Sequence, residues 1–157
     1  MLQATLESTL AGHFLRAWAS FGMPVFEIER TELPAVVVAL RQGHGFDLLL
    51  DVTAVDRLPQ EPRFEVVVHL FSSTLRQRVR LKMAVPEGDA QVPSLVPFFG
   101  SARFLEREAH DMFGIRFSGN EDLRPILLYE GFEGHPLRKD YPMEREQPIV
   151  EYREEGA

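Results

Sequence analysis

Apolar residues recur at Leu2, Leu6, Leu10, Phe14, Ala17/Trp18 and Phe21, close to every fourth position. This spacing predicts an amphipathic helix with one buried stripe, ended by Gly22. Few cations flank the stripe, which favours a core over a membrane surface. After Pro24, Val25–Glu29 alternates apolar and charged positions as a short strand does. Thr31-Glu32-Leu33-Pro34 has the form of a helix start with Thr31 as cap, although the β-branched run Val36–Val38 would also suit a strand; helix is the reading adopted. Gly43-His44-Gly45 marks a turn. Phe46–Val55, Arg63–Phe71 and Leu75–Val85 then read as three strands, and the separators Asp56–Pro62 and Ser72–Thr74 are short enough for hairpins, so an antiparallel meander is expected. In the third strand Arg76, Arg78, Arg80 and Lys82 alternate with Gln77, Val79, Leu81 and Met83, giving one basic face that is either a solvated surface or a binding stripe.

Pro86–Pro97 is a connection punctuated by proline. Ser101 then caps a helix to about Phe113, stopped by Gly114. Ala102, Leu105, Ala109 and Met112 share one face of it, while Arg107 with Asp111 and Glu106 with His110 stand four apart and can pair along the exposed flank. Beyond Phe117 the chain is rich in glycine and proline, with a brief apolar cluster at Ile126–Tyr129. Such a segment has too little periodic apolar surface to pack on itself and is expected to lie against something else.

Length and charge narrow the class. The 157 residues, 45% hydrophobic, can bury one core, so a single domain with an extended arm is expected. No stretch approaches the roughly 20 apolar residues that cross a bilayer. Residues Met1–Phe21, with Glu7 and only Arg16 as a cation, lack the pattern of a targeting segment. With no cysteine, this chain has no disulfide, thiolate-held cluster or cysteine nucleophile, so nearby redox chemistry falls to a partner. A net charge of −7 argues against nucleic acid or anionic lipid as the main ligand. The end of the chain is acidic, with eight Asp/Glu against four Lys/Arg from Glu130 onward, which suits solubility or a basic partner.

Candidate chemistry is thin. Glu106, Glu108, His110 and Asp111 supply four metal-type ligands within six residues, but Glu108 points about 200° from Glu106 on a helix. Arg107 also stands where a ligand of the E-x-x-H type would be, which argues against a metal. The serines lack a nucleophile-elbow context, the five histidines fall in different elements, and Gly43-His44-Gly45 leads into a strand where a phosphate loop would lead into a helix. Binding or scaffolding is favoured over catalysis, with an independent small metal-dependent hydrolase as the remote alternative.

Three blocks carry a resemblance: E-R-E-A-H-D-M-F-G-I-R-F (Glu106–Phe117), D-L-R-P-I-L (Asp122–Leu127) and E-G-H-P-L-R-K-D-Y-P (Glu133–Pro142). With Phe46–Asp56, Arg63–Leu70 and Val92–Leu95 upstream, the chain resembles the C-subunit, or thirty-kilodalton, family of proton-pumping NADH:quinone oxidoreductase, respiratory complex I. The resemblance implies a two-layer α+β fold, a mixed, mostly antiparallel sheet packed on helices with an extended C-terminal arm. It divides the chain into a domain over residues 1–117 and a docking segment over 118–157. It further implies a non-catalytic assembly subunit of the peripheral arm, without a cofactor of its own. The expected partner is the D subunit or a protein like it, similar to the hydrogenase large subunit, together with other peripheral-arm subunits that carry flavin and iron–sulfur clusters. In a bacterium the place would be the cytoplasmic face of the inner membrane, peripherally bound. By motif position, Glu106, Arg107, Glu108, Asp111, Phe113 and Gly114 are implied as structural residues, and His135, Pro136, Leu137, Arg138, Lys139, Asp140 and Tyr141 as docking residues. Asn120 and Glu121 depart from the family's usual His-Pro. The equivalent subunit of a membrane-bound hydrogenase, or of a dehydrogenase with another donor, is the alternative assignment.

Overall fold

In the computed structural model, which describes residues 2–145, helices α1 (Leu2–Thr9), α2 (Leu33–His44) and α3 (Ala102–Phe113) accompany strands β1 (Arg16–Ser20), β2 (Met23–Glu27), β3 (Leu48–Asp56), β4 (Phe64–Ser72), β5 (Gln77–Val85), β6 (Gln91–Pro93) and β7 (Arg116–Ser118). Five strands form one sheet in the order β1-β2-β5-β4-β3, and β6 pairs with β7 in a second. The expected meander β3-β4-β5 is antiparallel throughout, whereas β2 joins β5 in parallel, which makes the sheet mixed. The architecture is thus the α+β one expected.

Alternation along the strands sorts the two faces. Phe64, Val66, Val68 and Leu70 of β4 and Val79, Leu81, Met83 and Val85 of β5 are buried, and they join Val36, Val37 and Leu40 of α2 and Leu6 of α1 in one core. Each such side chain contributes about 1.5–3 kcal/mol on burial. The intervening residues Glu65, His69, Arg80 and Lys82 form the other face and lie half-buried under mutual contacts: Lys82 Nζ reaches Glu65 at 2.7 Å, and Arg80 Nε donates to His69 Nε2 at 2.7 Å. Of the basic stripe, Lys82 is neutralised by Glu65 and Arg80 is held by His69, while Arg76 and Arg78 stand exposed at its start.

Several sequence expectations are corrected. The first helix does not reach Phe21 but stops at Thr9, because Gly12 takes φ +88° and the Leu15 amide is already bonded to the Glu27 carbonyl, committing the chain to β1. Phe14 keeps a core role from the loop, edge-on to Phe26 at 5.4 Å. The strand expected at Val25–Glu29 begins and ends two residues earlier. Helix is right for α2, but Thr31 lies in a 3₁₀ turn and does not cap it; Glu32 holds the N-terminal position without a side-chain cap bond, and Gly43 and His44 belong to the helix, with Gly45 in the left-handed region as its terminus. The proline-punctuated connection contains β6. Ser101 and Gly114 do bound α3, although the Ser101 side chain makes no cap hydrogen bond.

Candidate interaction site: an arm held by buried polar anchors

Residues beyond β7 do lie against something else, and over much of their course it is this chain's own domain. α3 supplies the first anchor. Asp111, buried, accepts the amides of Ile126 and Leu127 on one carboxylate oxygen at 2.7 and 3.0 Å, with the Leu128 amide at 3.4 Å. The carbonyls that end α3 lack intrahelical donors, as all helix C-termini do. Here the arm provides them: His135 Nδ1 donates to Asp111 O at 2.9 Å, the Leu137 amide to Met112 O at 3.1 Å and Arg138 Nε to Phe113 O at 2.7 Å. Arg138 brings a positive charge to the negative end of the helix dipole. Gly114 makes the approach feasible: at φ +75°, a Cβ there would lie 2.5 Å from both Arg138 Nη2 and His135 Nε2.

Arg63 is the second anchor. Only 1% exposed, it stands at the entrance to β4 and spends its whole guanidinium on three carboxylates. Its two terminal nitrogens form a fork on Asp140 at 2.9 and 2.6 Å, Nη1 also donates to Glu87 at 2.6 Å, and Nε and Nη2 donate to Asp56, the latter at 2.8 Å. Bidentate Arg–carboxylate pairs combine strength with fixed geometry. Asp56, at the end of β3, also accepts the Leu58 amide at 2.9 Å and the Lys139 amide at 2.8 Å. Burial opposes its charge, but the bonds from Arg63 and the two amides prevail and hold its carboxyl well below the usual range. The Arg63 bond likewise lowers Asp140. Arg63 and Arg138 both lie over the Phe64 ring, at 5.1 and 5.2 Å.

The third cluster lies inside the domain. Glu106, fully buried, accepts Ser94 Oγ at 2.8 Å, the Leu95 amide at 2.6 Å and Asn120 Nδ2 at 2.9 Å. Among the described residues it has no cationic partner, so burial dominates and raises its carboxyl above the ordinary range, against the three donors. Asn120, the departure from the family pattern, thus serves as a donor to Glu106 and turns the chain by accepting the Asp122 amide.

The pairing of Glu106 with His110 and Arg107 with Asp111 along an exposed flank is not found. His110 Nδ1 donates to Ile115 O, and Arg107 donates to the carbonyls of Arg124 and Pro125. Glu106 and Asp111 point inward to separate donors while Glu108 faces solvent, so the four metal-type residues do not converge; among the described residues no group of three or more such ligands does. Phe113 is core. Of the implied docking residues, Arg138 is turned into the domain, as is the His135 Nδ1 that bonds Asp111 O, and Asp140 is shared between Arg63 and solvent. Tyr141 stacks on Phe132 at 6.0 Å, and the Leu137 side chain is 54% exposed after Pro136. Outward along the arm stand Ile126, Leu127, Leu137 and Met143. Sequence reasoning missed Arg63, Asp56 and Glu87 altogether. Residues 146–157, the rest of the expected docking segment and most of the acidic tail, lie outside the described residues.

A mixed five-stranded sheet packed on helices defines an α+β fold class shared with solved structures. A chain of the membrane-bound sulfane sulfur reductase, an archaeal respiratory membrane complex, superposes with a TM-score of 0.78 and 26% identity, over 89% of this chain and 85% of that one. The family model described as the 30 Kd subunit of respiratory-chain NADH dehydrogenase matches residues 26–147, and the chain belongs to that family. It is 41% identical to the C subunit of the NADH-quinone oxidoreductase of Herpetosiphon aurantiacus, over 98% of this chain and 92% of that protein. It is also 40% identical to the C/D subunit of the NADH-quinone oxidoreductase of Bdellovibrio bacteriovorus, over 90% of this chain but 26% of that protein. Among the described residues no helix is long and apolar enough to cross a membrane.

Proposed function

We propose that this chain is an assembly subunit of the peripheral arm of an NADH:quinone oxidoreductase, docking on a D-like partner and supporting electron transfer from NADH to quinone coupled to proton translocation. One observation carries the docking: in the Bdellovibrio relative the region like this chain is about a quarter of a longer protein named as the C and D subunits together. Subunits joined in one chain belong to the same assembly, which supports their contact here. Flavin and iron–sulfur clusters belong to partner subunits in this reading, and the chain sits peripherally, on the cytoplasmic face of the inner membrane in a bacterium.

Residues 118–157 form the docking segment, and the anchors refine how it works. Arg138 and Asp140 shape the arm from behind, and Leu127 and Leu137, 62% and 54% exposed, face the partner. Covering these two side chains on docking removes apolar surface from water, which favours association by about 25 cal/mol per Å². Tagged chain recovered from gently solubilised native membranes should bring with it a D-like subunit and an NADH-binding flavoprotein, with inhibitor-sensitive NADH:quinone activity. Leu127→Asp with Leu137→Asp should reduce that recovery at least about tenfold while the free chain stays folded. Recovery of the chain alone would overturn the reading.

The sulfane sulfur reductase likeness supports a second reading, the same role in a related membrane complex with another donor or acceptor. Co-recovery of a D-like subunit without the NADH-binding flavoprotein would select it.

A further inference from the structure

The end of the sheet where β1 turns into β2 and β4 into β5 lies opposite the arm's anchor at Asp56 and Arg63, and it carries groups the fold does not use. Phe21 and Gly22 form the two-residue turn between Ser20 and Met23, with φ of +49° and +78°. Turns of this hand favour Asn-Gly, and a bulky residue in the left-handed region is strained. Phe21 is fully exposed there, at 108%, so its ring makes no compensating contribution to the core.

Beside it, a row across the open face joins Leu48, Phe71 and Arg78 by strand pairing. Leu48 is 48% exposed, and Leu75 in the neighbouring turn 40%. Phe21, Met23, Phe71, Arg76 and Arg78 border a groove of about 360 Å³. Arg76 also takes a left-handed φ, +51°. Elsewhere on this face the cations are engaged, Arg80 with His69, Lys82 with Glu65 and Arg16 with Glu27. Asp47, which reaches the same turn, is bonded to the Ser73 amide and hydroxyl. Among the described residues Arg76 and Arg78 have no ion-pair partner.

We infer that this hairpin end is a second docking surface, for a neighbouring protein subunit that presents an apolar pocket rimmed by carboxylates. An aromatic held on a tight, low-entropy turn beside two arginines has the make-up of an interface anchor, since aromatic and Arg side chains dominate binding hot spots. In a two-fold contact with a second copy Arg76 and Arg78 would face their own equivalents, so two unpaired cations beside an exposed aromatic select a carboxylate-rimmed surface on a different subunit. The inference rests on the complex-subunit reading above.

The test places photoreactive benzoylphenylalanine at position 21 of the full chain, in native membranes, and maps adducts by mass spectrometry after the complex is purified. The expected result is one adduct to another subunit, in a segment bearing Asp or Glu, suppressed several-fold by Arg76→Glu with Arg78→Glu. Adducts to lipid, adducts to a second copy, or no adduct in an assembled complex would overturn the inference alone. A chain that recovers no other subunit would overturn the functional reading and this inference with it. Phe21→Asn gives an independent readout, because Asn-Gly suits the turn. The thermal midpoint of the free chain should hold or rise while incorporation into the complex falls at least about tenfold, and undiminished incorporation would contradict the inference.

Discussion

Strand β4 and the arm from Leu123 to Tyr141 each run across the rest of the chain, one through its middle and the other over its surface. β4 buries Phe64, Val66, Val68 and Leu70 between two neighbouring strands and α2. The arm leaves Ile126, Leu127 and Leu137 to solvent and is attached by Asp111, the carbonyls of α3, Arg63 and Asp56. Apolar burial is non-directional and spread over many contacts, whereas a buried ion fails when one partner is removed. The sheet should therefore tolerate single changes by degrees, and the arm should come away as a unit.

Arg63→Met is the strongest way to separate the two regions. It removes the cation from buried Asp56 and from the half-exposed Glu87 and Asp140, and the uncompensated charge at Asp56 should cost about 3–5 kcal/mol. Limited proteolysis should cut the variant near Arg138 and Lys139 while the sheet resists, and an uncut arm would mean that the two regions fail together or not at all. Asp111→Ala frees the amides of residues 126–128 and should cost about 1–3 kcal/mol, with Asp111→Asn milder because its oxygen still accepts; chemical denaturation measures both.

Acid should widen the difference, since the two kinds of buried carboxylate titrate in opposite senses. Asp56 and Asp140 are depressed in the fold, so their contribution is complete above about pH 4, near the unfolded value, and is lost as pH falls through the lower folded values. Glu106 is raised, so its contribution is complete below about pH 4 and is lost as pH rises through the higher folded value. Hydrogen exchange followed from pH 6 to pH 3 should show the arm amides losing part of their protection below about pH 4, with Asp56 still ionised, while the Leu95 amide beside Glu106 tightens. The smallest effect belongs to Ser101→Ala. A working N-cap is worth about 1 kcal/mol, but this side chain makes no cap bond, so the change should cost less than about 0.5 kcal/mol in thermal unfolding.

The meander was readable from the sequence because alternation is local, and α3 because Ser101 and Gly114 bracket its periodicity. The first helix was overextended because Phe14, Trp18 and Phe21 fit a fourfold spacing as well as a loop and strand, and only the pairing with β2 decides between them. Parallel pairing of β2 with β5 joins segments about 55 residues apart, which no local pattern encodes. The buried polar clusters were hidden for the same reason. Glu106 in E-R-E-A-H-D reads as surface until Ser94 and Asn120 converge on it, and Arg63 meets carboxylates 7, 24 and 77 positions away. The family motif marked Glu106 and Asp111 as structural residues without revealing that they point inward.

That the arm is already built on its own domain, with its apolar side turned outward before any partner arrives, is tested most directly by hydrogen exchange on the free chain at neutral pH. The amides of Ile126, Leu127, Leu137 and Lys139, each with an acceptor in the domain, should exchange at least about a hundredfold more slowly than in an unstructured peptide. Exchange at peptide rates until a D-like partner is added would contradict this and make the arm a segment that folds on docking.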